Sequence, residues 1–168
     1  ITRGWRAVMI FVIVVIGMIT LAAAGEGDKP PWVPDEHIVG TFAASDFAGR
    51  LPEWENAARE HHAEDDVIEA LRNAPPARIV VLFATWCGDS YEHVPVLLSA
   101  LREAGNPELE VEWVGLDRAK SEPGGRGVLW GVERVPTVVV LRDEVEVGRV
   151  IETPQTTMDR DVSRLLQP

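Results

Sequence analysis

The sequence predicts an α/β domain in which a mixed central sheet carries helices on both of its faces. Strand-like apolar runs alternate with helical periodicity, in the order strand, helix, strand, helix, strand, strand, helix. The last two strands, at residues 137–141 and 146–151, are close enough in the chain to pair as a hairpin. A chain of 168 residues can bury one core of this kind and still carry additional segments.

An uncharged apolar segment at residues 7–24 follows Arg3 and Arg6 and stands apart from the domain. Its length approaches that of a membrane-spanning helix, which favours a retained anchor. Its alanine-rich end also suits a signal peptide, so residues 1–24 have two interpretations, signal peptide or membrane anchor. Because basic residues stay in the cytoplasm, both interpretations place the remaining chain on the extracytoplasmic (periplasmic) side, inner-membrane anchored or exported. An uncleaved segment is the expected contact with the membrane.

The rest of the chain is acidic. The formal net charge is −11, and it becomes −13 without residues 1–24 because Arg3 and Arg6 are lost with them. A domain with this charge repels nucleic acid, so we expect no nucleic-acid partner. The charged, proline-rich composition of residues 25–36 predicts an extended tether between the N-terminal segment and the domain. Residues 37–64 predict an N-terminal extension, and residues 65–168 the main domain.

The individual elements follow from local patterns. The clearest strand, at residues 78–84, is apolar and β-branched and comes after Pro75 and Pro76. The last helix is expected to start near Thr156, because Thr156 and Asp159 have the spacing of a capping box. The predicted strands are residues 38–42, 78–84, 109–116, 137–141 and 146–151. The predicted helices are one from about Glu53 and those at residues 65–73, 88–104, 128–131 and 156–166.

Cys87 is the only cysteine, and it lies where the strand at 78–84 gives way to a helix. The unpaired N–H groups at a helix start favour an anion, so this position favours the reactive thiolate. Asp89, in the same helical turn, opposes a second negative charge. We therefore expect a moderately reactive thiol, the alternative being a cysteine that is simply packed in the core.

The segment from Trp86 to Ser90 resembles the Trp-Cys-Gly-x-Cys site of the thioredoxin family, with serine in place of the second cysteine. Three further features carry the resemblance, which covers residues 65–168. Pro95 falls where thioredoxins kink the active-site helix, residues 135–137 match the family's cis-proline followed by threonine, and Asp117 ends the intervening strand. The chain resembles a bacterial thioredoxin-like subgroup with a monothiol site. The resemblance implies the thioredoxin fold and thiol–disulfide exchange.

The resemblance also implies roles for individual residues. Cys87 is expected to attack disulfides, and Ser90 to hydrogen-bond the sulfur without being able to resolve a mixed disulfide. Trp86 is expected to form an apolar wall of the substrate groove and Thr153 its third side, while Val81 replaces the buried aspartate of many thioredoxins. The expected partners are disulfide-containing proteins or glutathione, with no cofactor and no metal. The expected substrate-binding residues are Trp86, Gly88, Asp89, Val135, Pro136, Thr137 and Thr153.

Two alternatives from other classes of protein stay open. The first is a redox-inactive module that binds a polypeptide in the same groove, with Cys87 incidental. The second is a dimer linked through Cys87, since a lone cysteine in an exported protein is either a free thiol or half of an intermolecular pair.

Overall fold

A computed structural model describes residues 29–167 of the chain. The predicted signal or anchor segment and the first residues of the tether therefore lie outside the described residues. The strands are β1 (Gly40–Phe42), β2 (Ala77–Phe83), β3 (Leu109–Gly115), β4 (Thr137–Arg142) and β5 (Val145–Ile151). The helices are α1 (Asp46–Arg50), α2 (Pro52–Glu60), α3 (Asp65–Arg72), α4 (Gly88–Ala104), α5 (Arg126–Leu129) and α6 (Met158–Leu165).

The five strands form one mixed sheet in the order β1-β3-β2-β4-β5. β2 and β3 are parallel, with Phe83 opposite Gly115, and the other three pairs are antiparallel. The ends of β2 and β3 and the start of β4 consequently meet at one edge of the sheet. This edge carries Cys87 just after β2, and Val135 and Pro136 just before β4.

The sheet buries a different apolar cluster on each face. The larger cluster includes Val81 and Phe83 of β2 and is covered by α1 to α4 and by α6. The smaller cluster includes Leu82 of β2 and is covered by the segment around α5, which contributes Trp130. Helices therefore lie on both faces, as predicted, but one face is covered by a single helix of four residues.

Residues of the N-terminal extension belong to the larger cluster. Phe47, Leu51 and Trp54 are 0–2 % exposed, and the ring of Phe47 lies 5.3 Å from that of Trp113 on β3. The expected short strand and the helix from about Glu53 are present as β1 and α2, whereas α1 was not predicted. Only Phe47 of its five residues is buried, which is too little for a helical pattern in the sequence. The boundaries proposed between extension and main domain stay a prediction.

The described part of the tether is not extended, and the sequence-based expectation was wrong here. The chain turns at Pro31 and Trp32, where the N–H of Val33 donates to the carbonyl of Pro30 at 3.0 Å, and it bends again at residues 35–36. The ring of Trp32 stacks on Tyr91 of α4 at 4.9 Å, and its carbonyl accepts a hydrogen bond from Trp54 Nε1 at 2.8 Å. Burial of the Trp32 ring outweighs the preference of a charged, proline-rich segment for an extended chain.

The start of the last helix also differs from the prediction. α6 begins at Met158, and Thr157 is its N-cap residue. Neither Thr156 nor Thr157 makes a capping hydrogen bond with Asp159. The hydroxyl of Thr156 donates instead to Asp161 at 2.6 Å, and Asp161 also accepts the backbone N–H of Gln155. Asp159 contacts His61 Nε2 at 3.2 Å. His61 is the C-cap residue of α2, 98 residues earlier in the chain, so the sequence around Thr156 gives no sign of this contact.

An ionic network joins two strands to α5. Glu112 on β3 accepts hydrogen bonds from Arg78 on β2, at 2.7 Å, and from Arg126 at the start of α5. Burial raises the pKa of Glu112, but the hydrogen bonds and charges of Arg78 and Arg126 outweigh this effect and hold the pKa below its ordinary value. The carboxylate is therefore charged when the network forms.

The place of the extension in the core predicts different effects for two matched substitutions. Leu51 is 2 % exposed and Leu129 on α5 is 74 % exposed. We expect Leu51→Ala to lower the free energy of unfolding by about 2–5 kcal/mol, because it leaves a cavity. Leu129→Ala should change it by less than about 0.5 kcal/mol. Urea denaturation followed by tryptophan fluorescence measures both, and equal losses would contradict the packing described here.

The ionic network predicts a pH dependence of stability. Glu112→Gln should lower the free energy of unfolding at pH 7 by about 1–3 kcal/mol, because two charged hydrogen bonds are weakened. The folded-state pKa of Glu112 lies below the ordinary value of 4.5. Its contribution is therefore present above about pH 4.5 and is lost as the pH falls through the folded-state pKa.

The stabilities of the natural protein and of Glu112→Gln should therefore converge in acid, as measured by urea denaturation at a series of pH values. Glu110→Gln is the matched control, because Glu110 is exposed on the same strand and makes no ion pair within residues 29–167. A Glu112→Gln effect that is equal at pH 7 and pH 3 would contradict the prediction.

Candidate functional site

Cys87 is the N-cap residue of α4 and has extended backbone angles, φ −101° and ψ 125°. Its N–H donates to the carbonyl of Ala84 at 3.1 Å, and its carbonyl accepts the N–H of Tyr91 at 3.1 Å, in the first turn of α4. The side chain is a free, half-buried thiol whose Sγ donates to the carbonyl oxygen of Val135 at 3.3 Å. The thiol thus lies at a helix start, as the sequence predicted.

The segment before β4 forms the opposite side of the site. The Val135–Pro136 peptide bond is cis, as predicted, and Val135 lies against the sulfur. Thr137 is 2 % exposed, and its hydroxyl donates to the carbonyl of Arg134 at 2.7 Å, so this side chain supports the turn. That these residues bind a substrate stays a prediction.

Ser90 lies one turn along α4 from Cys87 and is fully buried. Its hydroxyl oxygen accepts the backbone N–H of Ala84 at 3.2 Å. Within residues 29–167, Ser90 Oγ makes no hydrogen bond to the sulfur of Cys87, although the resemblance implied one. Ser90 therefore secures the junction between β2 and α4, a contact that the sequence did not reveal.

Gly88 and Asp89 are the first two residues of α4. Gly88 is exposed, and a Cβ atom added there would meet nothing within 4 Å. Asp89 is half-buried in the first helical turn, where a carboxylate stabilises the helix. Both residues border the surface beside Cys87, so an approaching partner passes close to them.

Trp86 is fixed by a hydrogen bond from its Nε1 to the carbonyl of Leu116 at 3.2 Å. The guanidinium carbon of Arg118 lies 4.9 Å from the centre of the Trp86 ring, in cation–π geometry. The expected wall beside Cys87 is therefore not purely apolar, because one face of the indole carries a positive charge. Arg118 was not singled out in the sequence, although its place just after β3 brings it to the same sheet edge as the residues after β2.

Thr153 follows β5, two residues after Ile151. It is exposed and lines a cleft of about 390 Å³ together with Arg149, Gln155, Asp161 and Arg164. A hydrogen bond from Glu152 N to the carbonyl of Pro136, at 2.6 Å, brings the preceding residue beside the cis-proline. Cys87 and Trp86 do not border this cleft, and the place of Thr153 in a groove beside the thiol stays a prediction.

The chemistry available at this edge is that of one nucleophilic sulfur. Val81 is fully buried within the larger cluster, so an apolar side chain stands where the resemblance would place a buried aspartate. In residues 29–167, no three His, Cys, Asp or Glu side chains are grouped so as to hold a metal ion.

Among the same residues, no helix is long and apolar enough to cross a membrane.

The sheet order, the helix that follows Cys87 and the cis-proline segment define a protein of the thioredoxin fold. The family model described as thioredoxin matches residues 45–162, which is most of the sequence. The chain therefore belongs to the thioredoxin family. The match starts inside the segment that we interpreted as an extension.

The chain is similar to solved structures at low sequence identity, and one of them has a TM-score above 0.5. A protein of unknown function from Pseudomonas aeruginosa matches with a TM-score of 0.51 and 21 % identity, over 76 % of this chain and 86 % of that chain. A mutant thioredoxin from Halobacterium salinarum matches with a TM-score of 0.40 and 17 % identity, over 62 % of this chain and 83 % of that chain. No curated protein matches the chain significantly.

Proposed function

We propose that this protein carries out thiol–disulfide exchange through Cys87 alone, on the extracytoplasmic side of the membrane. The observation that carries the proposal is the half-buried Cys87 thiol at the start of α4, with its sulfur 3.3 Å from the Val135 carbonyl. A helix start stabilises an anion, and the thiolate is the form of cysteine that attacks disulfides. Membership of the thioredoxin family supports the same chemistry.

The proposed reaction is a simple exchange. Cys87 loses its proton to water, and the thiolate attacks one sulfur atom of a disulfide. A new bond forms between Cys87 Sγ and that sulfur as the old disulfide bond breaks, and the electron pair leaves with the second sulfur as a thiolate. That thiolate takes a proton from water. The exchange needs no outside oxidant or reductant.

The partner's backbone is proposed to bind at Val135. In the free protein, the Val135 carbonyl accepts the hydrogen bond from the Cys87 thiol. Once Cys87 has lost its proton or joined a mixed disulfide, this carbonyl has no such donor and can accept an N–H from an extended partner segment. Trp86, Gly88, Asp89, Pro136 and Thr137 are proposed to border or support that position. Thr153 is proposed as a further contact, because the preceding residue, Glu152, donates its N–H to the Pro136 carbonyl.

The mixed disulfide must be released by another molecule. A serine hydroxyl cannot displace the partner's sulfur, and the Ser90 oxygen accepts a hydrogen bond from Ala84 N. We therefore propose that an external thiol completes the cycle, with disulfide-containing proteins or glutathione as partners. A redox-inactive polypeptide-binding module and a Cys87-linked dimer are the rival outcomes of the experiment below.

The location is inferred from the sequence. Arg3 and Arg6 precede the apolar residues 7–24, and basic residues are retained on the cytoplasmic side of a bacterial membrane. We propose that residues 1–24 direct the domain across the inner membrane and, if uncleaved, anchor it there.

A second thiol placed at residue 90 tests the site. Residues 87 and 90 are one helical turn apart, so Ser90→Cys should form an internal disulfide under mild oxidation. The variant should gain insulin reductase activity, while the natural protein instead accumulates one mixed disulfide with glutathione, detected by intact-mass spectrometry. The gain should be modest, because Val81 supplies no buried acid and Asp89 opposes the thiolate.

Two controls separate the outcomes. Ser99→Cys also adds a thiol to α4, about 18 Å along the helix axis from Cys87, and should form no internal disulfide. Cys87→Ser should form no mixed disulfide. Absence of the internal bond in Ser90→Cys contradicts the proposed geometry. If Cys87 of the natural protein forms no mixed disulfide, the polypeptide-binding module is favoured. If disulfide-linked dimers accumulate instead, the Cys87-linked dimer is favoured.

The location has its own prediction. A reporter enzyme that is active only outside the cytoplasm, fused after Pro168, should be active in bacterial cells. Replacing Arg3 and Arg6 with glutamate should reduce this activity, because the positive charges that set the orientation are lost. A fusion that works only with a cytoplasmic reporter would contradict the proposed location.

A further inference from the structure

We propose that Arg118, held on the face of Trp86, makes the Cys87 site selective for disulfides that carry carboxylates near their sulfur atoms. This inference rests on the proposed exchange function and names the class of partner for it. Arg118 would be a binding residue that contacts the partner's negative charge. The Trp86–Arg118 pair is the feature of the site that the thiol chemistry alone does not explain.

Arg118 is one of the few arginines in residues 29–167 that no carboxylate pairs with. Acidic residues outnumber Lys and Arg by 27 to 16, and most arginines in residues 29–167 form ion pairs with carboxylates. Within those residues Arg118 makes neither an ion pair nor a side-chain hydrogen bond, although its side chain contacts Trp86. An arginine kept free in a strongly acidic domain is therefore available to an external anion.

The position of Arg118 is well defined. Trp86 is held by its bond to the Leu116 carbonyl, and Arg118 lies 4.9 Å from the centre of the ring. The contact with the ring uses the charge of the guanidinium group but none of its N–H donors, which make no hydrogen bond within residues 29–167. Those donors match the two oxygen atoms of a carboxylate. Trp86 adjoins Cys87 in the chain, so such a carboxylate would lie beside the reacting sulfur.

The neighbouring acids only partly oppose this charge. Asp117 turns into its own loop, where Oδ1 accepts the backbone N–H groups of Ala119 at 2.8 Å and Ser121 at 2.9 Å. Glu152 is paired with Arg134. Asp89 is the carboxylate on the α4 side of the thiol, and Lys120, in the same turn as Arg118, adds a second positive charge without an ion pair in residues 29–167. In the loop after β3, Arg118 and Lys120 therefore carry positive charges that no carboxylate of residues 29–167 pairs with.

A charge series of disulfides tests the proposal. The second-order rate constants for mixed-disulfide formation at Cys87 are measured with glutathione disulfide, which is anionic, with 2-hydroxyethyl disulfide, which is neutral, and with cystamine, which is cationic. Arg118→Gln should slow the reaction with glutathione disulfide about fivefold to tenfold relative to the neutral reagent, because a charged hydrogen bond is lost. The reaction with cystamine relative to the neutral reagent should be unchanged or faster.

Arg50→Gln is the matched control. Arg50 is likewise exposed, stacks on an aromatic ring, that of Phe42 at 5.6 Å, and makes no ion pair within residues 29–167. Because it belongs to α1, its loss should leave the anion preference unchanged. Comparison with the neutral disulfide in each variant removes any change in the reactivity of the thiol itself.

The outcomes distinguish the two proposals. If the natural protein reacts with none of the disulfides, the exchange function is wrong. If it reacts with all three and Arg118→Gln slows them equally, or slows none, the exchange function survives and the selectivity assigned to Arg118 is overturned. An Arg118→Lys variant that keeps only part of the preference would support recognition by the planar guanidinium group.

Discussion

The structure depends on the position of β2 between two other strands. β2 is hydrogen-bonded to β3 on one side and to β4 on the other, and Ile79 to Phe83 are completely buried. A strand in this position cannot shift without moving side chains of both apolar clusters. Its end therefore determines where the chain turns into α4, and hence where the thiol of Cys87 lies. The parallel pairing with β3 brings the Arg118 loop to the same edge, and the antiparallel pairing with β4 brings Val135.

Charged residues complete this arrangement at several junctions. Glu112 joins β2, β3 and α5 through two arginines, and the buried Glu55 of α2 binds Arg102 of α4 at 2.9 Å. Burial raises the pKa of Glu55, but the hydrogen bonds from Arg102 and Arg59 outweigh it and lower the pKa overall. Carboxylates that are buried in this way require partners. Most arginines of residues 29–167 are paired with acids in this way, whereas Arg118 contacts the ring of Trp86.

An aromatic group connects the start of the described chain to the helix of the site. Trp32 stacks on Tyr91, Tyr91 meets the ring of Trp54 at 5.6 Å, and Trp54 in turn packs on Phe83 at the end of β2. The segment that leads from residues 1–28 is thereby packed against α4, one turn beyond Cys87.

The sequence by itself determined the elements whose signals are local. The buried strand before Cys87, the helix to Ala104, the final hairpin and the thiol at a helix start all follow from short apolar patterns and from the family resemblance. Only the tertiary structure decided which residues meet across the chain. Five features depend on neighbours in space: the packing of α1, the contact of Trp32 with Tyr91, the hydrogen bond from Ala84 to Ser90, the bond from Thr156 to Asp161 and the contact of Arg118 with Trp86. Local periodicity reports which side of an element is apolar, but it carries no information about the group that will lie opposite.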